Sequence, residues 1–210
     1  MNAEKIYQFL QQISVECGQK KHRRMVVISD TSEKIDKLAN VIFEQNQAEC
    51  FFKESLFYGE FNANIEKSVK GNYQHHLGTE NHLVVYHEQD FHPDAFCALT
   101  GTIVAGGLLI VLRSCESKDS AKKTGFDLRF DQFLAKDVYS VLTFNSVDEF
   151  YSASEAVNIS QRLISQIDTC ATSEQANVVK QLVGEFESKQ STVVSLTANR
   201  GRGKSTALAL

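Results

Sequence analysis

The sequence predicts an α/β fold with three layers: a mostly parallel sheet with helices on both faces, followed by an incomplete P-loop NTPase segment. Short β-rich runs alternate with stretches whose apolar residues recur at helical spacing over most of the chain. Residues 108–112 are continuously apolar, as expected of a strand covered on both faces. Near residue 200, a strand-like run leads into a glycine-rich loop and a helix-forming stretch, which is the order of a phosphate-binding loop.

Composition narrows the class of protein. The 210 residues are 42% hydrophobic and 23% charged, which is typical of a folded soluble protein. A net charge of −4 excludes a basic nucleic-acid binder in bulk, although local basic patches remain compatible with it. The first helix is polar on one face and no apolar run approaches ~20 residues, so we expect a cytoplasmic protein without a membrane segment. The five widely spaced cysteines are expected to be reduced and mostly buried.

The first part of the chain predicts a helix, a strand, a second helix and a further strand. Apolar residues at helical spacing place the first helix at residues 3–17, and Gly18 can end it. The run M-V-V-I-S at 25–29 predicts a buried strand. Asp30 then takes the N-cap position of the second helix. Residues 50–52 predict a short strand.

The middle of the chain continues the alternation. Residues 83–86 predict a strand, and Pro93, the only proline, suits the first turn of a helix. Gly106 and Gly107 are expected to end that helix and turn the chain into the strand at 108–112.

The rest of the chain is predicted to complete the first domain and to begin a second. The elements are a polar loop at 113–125, a helix or mixed segment at 126–136, a strand at 138–143, helices at 155–169 and 173–187, and a buried-type strand at 192–197. We place a boundary near residue 170, which gives domains at 1–170 and 171–210. Because the strand at 192–197 would expose an apolar edge, it is a candidate for self-association.

The phosphate-binding loop is the clearest chemical signal. The pattern A-N-R-G-R-G-K-S at 198–205 matches G-x-x-x-x-G-K-[S/T], except that alanine replaces the first glycine. Gly201 and Gly203 lack a Cβ, so the backbone can curl around phosphate with its N–H groups pointing inward. Lys204 would face the β- and γ-phosphates of ATP, and Ser205 would ligate Mg²⁺ once the site is completed. The alternative is a Gly/Arg-rich surface loop or a basic tail, and the flanking strand favours the phosphate loop.

Gln175 is a second candidate contact for ATP. It follows Thr172, Ser173 and Glu174, which suit a helix start. A glutamine amide both donates and accepts hydrogen bonds, as the adenine edge requires. In many helicase-type ATPases, a glutamine lies at this place, one helix before the phosphate loop.

The run K-K-H-R-R at 20–24 is the densest basic segment. Lys20, Lys21, Arg23 and Arg24 are candidates for contacts with RNA phosphates. The alternative is a solvated junction whose cations lie near a helix C-terminus, and five basic residues on a surface favour that interpretation.

Several of these segments resemble the bacterial tRNA(Met) cytidine acetyltransferases. F-H-P-D-A-F-C-A-L-T-G-T-I-V-A-G-G-L-L-I-V-L at 91–112 and L-G-T-E at 77–80 resemble the N-terminal domain of that family. T-A-N-R-G-R-G-K-S-T-A-L at 197–208 looks like its Walker A loop, and residues 172–175 look like the segment before its helicase-like domain. Residues 1–70 match only in outline.

The resemblance implies a function in tRNA modification. Members of this family use ATP and acetyl-CoA to acetylate N4 of the wobble cytidine in elongator methionine tRNA. They contain an N-terminal domain, a helicase-like ATPase, an acetyltransferase domain and a tRNA-binding C-terminal region. The ATP contacts that the resemblance implies here are Gln175, Gly201, Arg202, Gly203, Lys204, Ser205 and Thr206.

The chain also departs from the family pattern. It has no acid-rich strand for a second magnesium ligand, no distal arginine and no acetyltransferase domain, so we expect it to supply a structural or RNA-proximal domain and part of the ATP site. Acetyl-CoA would then bind only in the full-length family. Two alternatives remain: a stand-alone interaction or scaffold module with a vestigial P-loop, and a small complete P-loop ATPase. The second is least favoured because a P-loop fold needs several more strands.

Overall fold

A computed structural model describes most of the chain. The described residues are 3–59, 61, 65, 68–69, 71–88, 91–115, 124–135, 141–156 and 173–187. The chain divides into two compact units, Met1–Gln161 and Arg162–Leu210. Every strand of the described residues lies in the first unit, and one helix is described in the second. No helix in the described ranges has the length and apolar character to cross a bilayer.

Helices and strands alternate as the sequence predicts. The α-helices are α1 (Ala3–Gln19), α2 (Ser32–Glu49), α3 (Pro93–Thr100), α4 (Gly125–Ala135), α5 (Val147–Ala156) and α6 (Ser173–Glu187). The strands are β1 (Arg24–Asp30), β2 (Ser55–Tyr58), β3 (Ser68–Val69), β4 (Asn81–Glu88), β5 (Ile103–Ser114) and β6 (Val141–Phe144). A 3₁₀ turn, Tyr73–His76, precedes β4.

The strands form one parallel sheet in the order β3-β2-β4-β5-β1-β6. β1 lies inside the sheet, where Val26 is in register with Ile110 of β5 and Leu142 of β6. Such an interior strand is buried on both faces, which explains its continuous apolar run. The predicted α/β class with a parallel sheet is therefore confirmed, whereas the P-loop segment lies outside the described residues.

One face of the sheet packs against α1, α2 and α5. The core on this face is largely aliphatic, with Ile6, Leu10 and Ile13 of α1 buried against Ile28 and Leu112 of the sheet. The spacing of the three α1 residues places them on one side of a helix, so the pattern that predicted α1 also positions it. The predicted helix at 3–17 is confirmed and extends to Gln19.

The other face carries α3 and α4 and is richer in aromatic rings. Tyr86 of β4 contacts Phe91 and Phe96, with ring centroids 5.5 Å apart in each pair. Phe130 of α4 packs on both phenylalanines at 5.5 Å, and the guanidinium of Arg113 lies over its ring. Helices thus cover both faces, and the predicted three-layer arrangement is confirmed.

The predicted N-cap of α2 is wrong. Asp30 is the last residue of β1, and Thr31 occupies the N-cap position without a side-chain capping bond. The reason is that the Asp30 carboxylate accepts hydrogen bonds from the backbone N–H groups of Thr31 and of Val147 in α5. Its side chain therefore joins two elements across the sheet edge.

The predicted strand at 50–52 is also wrong. Cys50 ends α2 in a left-handed conformation, with φ of 53°, and its N–H donates to the Asn46 carbonyl. Phe52 then bonds through its own N–H to the Asn46 side chain. The aromatic residues resemble a strand in sequence, but the asparagine holds them in a turn, and β2 begins only at Ser55.

The two central glycines do not end α3, which stops at Thr100. Gly106 and Gly107 lie inside β5, where the pairing with β4 shifts register. Gly106 has a φ of +84°, and a Cβ there would lie 3.0 Å from the Gly18 Cα of α1. Glycine is therefore required because helix and strand backbones touch at this point.

The later elements agree with the sequence except in one case. The helix or mixed segment predicted at 126–136 is the helix α4, the helix predicted at 173–187 is α6, and the strand predicted at 138–143 corresponds to β6. α5, at Val147–Ala156, was not predicted. The helix predicted at 155–169 overlaps it only at its first two residues. Most of that range, like the strand predicted at 192–197, lies outside the described residues.

The cysteines differ from the expectation that most are buried. Among the described residues Cys17 is buried, whereas Cys50, Cys97 and Cys115 are exposed, and all four are free thiols. Cys17 lies on the core side of α1, whereas Cys97 is on the exposed side of α3, Cys50 follows the end of α2 and Cys115 follows β5. Burial raises the pKa of Cys17 to about 11, against a smaller lowering by Arg24, so this thiol is protonated at neutral pH.

Candidate functional site

The predicted ATP contacts fall largely outside the described residues. Gly201, Arg202, Gly203, Lys204, Ser205 and Thr206 lie there, as does the candidate self-association segment at 192–197. Gln175 lies in the first turn of α6, where the sequence predicted a helix start. Binding of ATP and Mg²⁺ at these residues therefore stays a prediction.

The predicted RNA contacts divide into buried and exposed cations. Arg24 is inside the protein, with its side chain 1% exposed and its Nη1 atom 3.9 Å from a carboxylate oxygen of Glu16. Lys20 is partly exposed and forms an ion pair with the same glutamate at 3.5 Å. Lys21 and Arg23 are exposed. Three of the four predicted cations thus reach the surface at the end of α1.

The surface beside these cations is a groove along the outer side of α1. Its volume is about 400 Å³. The lining residues, called the α1 groove below, are Gln8, Gln11, Gln12, Val15, Glu16, Gln19 and Phe51. Val15 is 50% exposed and Phe51 is 38% exposed, so two apolar side chains lie open to solvent among polar amides.

Phe51 is exposed but held in place by a buried network around Asn46. The Asn46 side chain accepts hydrogen bonds from the Tyr7 hydroxyl at 2.6 Å and from the Phe52 N–H at 3.1 Å. Its amide group donates to the Phe52 carbonyl and the Ser55 hydroxyl. The Phe51 ring then packs edge to face on Phe52, with centroids 4.9 Å apart.

A second polar cluster lies at the carboxyl edge of the sheet and centres on Asp30. Its carboxylate accepts from the Val147 N–H at 2.8 Å, the Thr31 N–H at 2.7 Å and the Lys34 ammonium at 3.3 Å. Lys34 also contacts Asp148 at 2.8 Å. Burial raises the pKa of Asp30, but these donors outweigh it, so that pKa lies below its ordinary value.

This carboxyl edge contains the switch point of the sheet. The connection after β1 passes through α2 on one face, whereas the connection after the adjacent β5 passes through α4 on the other. Open α/β sheets bind ligands at such places. Here the hydroxyls of Ser32 and Ser114 bond to each other at 2.7 Å, and the Cys115 N–H donates to the Asp30 carbonyl.

His87 is a further buried titratable group near this edge. Its ring stacks on Phe61, with centroids 5.2 Å apart, and the carboxylate of Asp36 on α2 lies close enough to act on it electrostatically. Burial lowers the pKa of His87, and Asp36 opposes that shift in part. Across the described ranges, no three His, Cys, Asp or Glu side chains converge as a metal site would require.

No sequence pattern identifies Asn46, Phe51 or Asp30 as a site residue. Exposed glutamines and one phenylalanine give no motif, because ordinary helix surfaces contain both. The i, i+4, i+7, i+11 spacing of Gln8, Gln12, Val15 and Gln19 was the available signal, since it places them on one stripe of α1.

Two comparisons connect the chain with known proteins. The profile of the family described as "tRNA(Met) cytidine acetyltransferase TmcA, N-terminal" matches residues 1–146. A curated protein, tRNA(Met) cytidine acetyltransferase TmcA of Idiomarina loihiensis, is 32% identical over 146 residues, which are 67% of this chain and 21% of that protein. The chain therefore spans about a fifth of that relative. The family match includes residues 1–70, where the sequence resemblance was only in outline.

Proposed function

Because the chain belongs to the tRNA(Met) cytidine acetyltransferase TmcA family and its residues 1–146 match the N-terminal domain, we propose that it is the N-terminal portion of an ATP-dependent enzyme of this activity. That enzyme would transfer an acetyl group from acetyl-CoA to N4 of the wobble cytidine in methionine tRNA. The observation that carries the proposal is the coincidence of the family match with the parallel α/β unit. A tRNA substrate implies a cytoplasmic protein.

Within this enzyme the chain would supply two parts. Residues 1–170 form a structural and RNA-proximal domain, and residues 171–210 begin the helicase-like ATPase. Lys204 would bind the ATP phosphates and Ser205 would ligate Mg²⁺, with the remaining ATP-site residues and the acetyl-CoA site supplied by other parts of the enzyme. The structural role is supported at the carboxyl edge, where the Asp30 carboxylate accepts hydrogen bonds from the backbone N–H groups of Thr31, which precedes α2, and of Val147, which begins α5.

The test is a chimera made with the curated relative. Residues 1–210 of this chain replace the matching N-terminal segment of the Idiomarina loihiensis protein, and the chimera is expressed in a bacterium that lacks its own enzyme of this activity. We expect N4-acetylcytidine to return to methionine tRNA, measured by mass spectrometry of its nucleosides. This chain alone should give none. A folded chimera that leaves the cytidine unmodified would favour a stand-alone interaction module instead.

The ATP site is tested separately in the same chimera. Lys204→Ala should abolish ATP-dependent acetylation and weaken binding of ATP–Mg²⁺ in a calorimetric titration, because a phosphate contact is lost. Lys180→Ala is the matched control, since this lysine is exposed on α6. Equal acetylation and equal ATP binding by the two variants would remove residues 201–206 from the proposed site.

A further inference from the structure

We propose that the α1 groove, together with Lys20, Lys21 and Arg23, is a binding surface for single-stranded RNA. The proposal rests on the proposed function, since it names the surface by which this domain would contact the tRNA substrate. Three features of the groove carry it: cations at one end, a rigid exposed aromatic ring, and a row of amide side chains.

The cations adjoin the groove. Lys20 follows directly on Gln19, the last helical residue that lines it, and the ammonium of Lys20 contacts Glu16 inside the groove. Lys21 and Arg23 are exposed just beyond. Single-stranded nucleic acids bind grooves in which positive charge follows the phosphates while aromatic rings take the bases. This end of α1 thus has the charge that a phosphate backbone needs.

The aromatic ring is Phe51. A base stacks well on a ring that is exposed and already fixed, because little conformational freedom is lost on binding. Phe51 meets both conditions, since it is 38% exposed while its neighbour Phe52 is bonded through both backbone groups to Asn46. The Phe51 ring therefore offers an exposed face next to a backbone segment that a buried asparagine holds.

The amide side chains form a row along the α1 groove, and the row begins next to the cations. Gln8, Gln12 and Gln19 lie with Val15 on one stripe of α1, and the stripe is about 16 Å long at ~1.5 Å per helical residue. Each amide can donate and accept, which suits the polar edges of unpaired bases. Gln11 is already held by Glu49 through a hydrogen bond of 2.8 Å. The row therefore adds contacts to bases without adding charge.

The first experiment measures RNA binding by the 210-residue chain. A fluorescent 12-nucleotide RNA of mixed sequence without base pairing is titrated with the protein, and anisotropy is read at several salt concentrations. Phe51→Ala should weaken binding at least about fivefold, the lower limit for loss of one stacked base. The control is Phe133→Ala, because Phe133 is 39% exposed on α4, away from the groove. Its affinity should equal that of the unchanged chain.

The second variant tests the cations. Lys21→Ser combined with Arg23→Ser should reduce the slope of log affinity against log salt by about 1.4, the value for two phosphate contacts in a single strand. The control pair is Lys37→Ser with Arg129→Ser, which removes two exposed cations from α2 and α4 and should leave the slope unchanged. Circular dichroism and urea unfolding verify that every variant is folded.

Three results would overturn the proposal. The unchanged chain does not bind the RNA at micromolar protein, or Phe51→Ala and Phe133→Ala bind equally, or the two cation pairs give the same slope. A dimer in sedimentation that Phe51→Ala dissociates, without RNA binding, would assign the groove to a second copy of the chain instead. These outcomes can be distinguished from those of the chimera experiment. If the chimera restores acetylation but the 210-residue chain does not bind RNA, the α1 groove is rejected as an RNA-binding surface and the proposed function still stands.

Discussion

β1 carries a buried charge at each end, and the two are held in opposite ways. At the carboxyl edge, Asp30 is 9% exposed and accepts from two backbone N–H groups and from Lys34. At the amino edge, Arg24 is 3% exposed, and its Nε and Nη1 atoms make no hydrogen bond within the described part of the chain. Its Nη1 lies 3.9 Å from Glu16, which is beyond hydrogen-bond distance.

The difference shows which edge of the sheet depends on a charged side chain. A buried carboxylate with several donors recovers much of its desolvation cost, whereas a buried guanidinium without hydrogen bonds does not. We therefore infer that the hydrogen bonds of Asp30 stabilise the packing of α2 and α5 against the sheet. The amino edge relies instead on the close backbone contact between Gly18 and Gly106. Each prediction below tests one side of this contrast, from the largest expected effect on stability to the smallest.

Replacement of Asp30 by alanine should have the largest effect. The change leaves the N–H groups of Val147 and Thr31 without their acceptor, and hydrogen bonds to a charged group contribute about 1.5–3 kcal/mol each. We expect the free energy of unfolding to fall by about 3 kcal/mol in urea titrations. Glu33→Ala, which removes an exposed acid from the first turn of α2, is the control and should cost under about 1 kcal/mol. Equal losses would contradict the role of Asp30.

The backbone contact at the amino edge is tested by Gly106→Ala. A Cβ there meets the Gly18 Cα at 3.0 Å, and the φ of +84° is also unfavourable for alanine. We expect the free energy of unfolding, measured in urea titrations, to fall by about 2 kcal/mol or more. Gly78→Ala is the matched control, because Gly78 has a φ of +88° but open space around it. The free energy of unfolding of Gly78→Ala should fall by only about 1 kcal/mol. The difference between the variants measures the contact of α1 with β5, and no difference would mean that the contact contributes nothing.

The sequence predicted the layers well because they depend on short-range patterns. The spacing of apolar residues predicted α1 and α6, and continuous apolar runs predicted the interior strands of the sheet. The errors lie where a distant partner decides the local structure. Asp30 was predicted to be a helix cap, but its carboxylate accepts a hydrogen bond from the N–H of Val147, which lies 117 residues later. Gly106 was assigned to a helix end, but its position is set by Gly18 of α1, far away in the sequence.

The candidate site residues also divide into those that are consecutive in the sequence and those that are distant in it. The phosphate loop is predicted from consecutive residues that each have a chemical role, and it stays a prediction because it lies outside the described residues. The α1 groove could not, because Phe51 joins it from the end of α2 through a network around Asn46. Likewise, five neighbouring basic residues gave no indication that Arg24 turns inward while Lys21 turns outward.

The pH dependence of stability tests a second buried titratable side chain, His87, near the carboxyl edge. Because burial lowers the pKa of His87, the folded protein keeps this imidazole neutral where the unfolded chain, with a pKa of about 6.5, takes up a proton. The unfolded state then binds more protons, so the free energy of unfolding falls as the pH decreases from 7 to 5, by at most about 1.4 kcal/mol per pH unit.

His87→Gln should flatten this slope in urea titrations between pH 7 and pH 5. His75→Gln, which changes an exposed histidine in the 3₁₀ turn, should leave the slope as it is. The range stops at pH 5 because the carboxylate of Asp30, whose pKa lies below its ordinary value, loses its contribution only at more acidic pH. A slope that persists unchanged in His87→Gln would assign it to another group.

Replacement of Arg24 by methionine should have the smallest effect. Methionine keeps most of the buried volume of the arginine stem and removes a charge whose Nε and Nη1 groups are buried without hydrogen bonds. Glu16 keeps its ion pair with Lys20 at 3.5 Å and remains partly exposed, so no charge is left buried without a partner. We therefore expect the free energy of unfolding to change by no more than about 1 kcal/mol in either direction. A loss above about 2 kcal/mol would show that Arg24 stabilises the amino edge as Asp30 stabilises the carboxyl edge, and the contrast between the two ends of β1 would not hold.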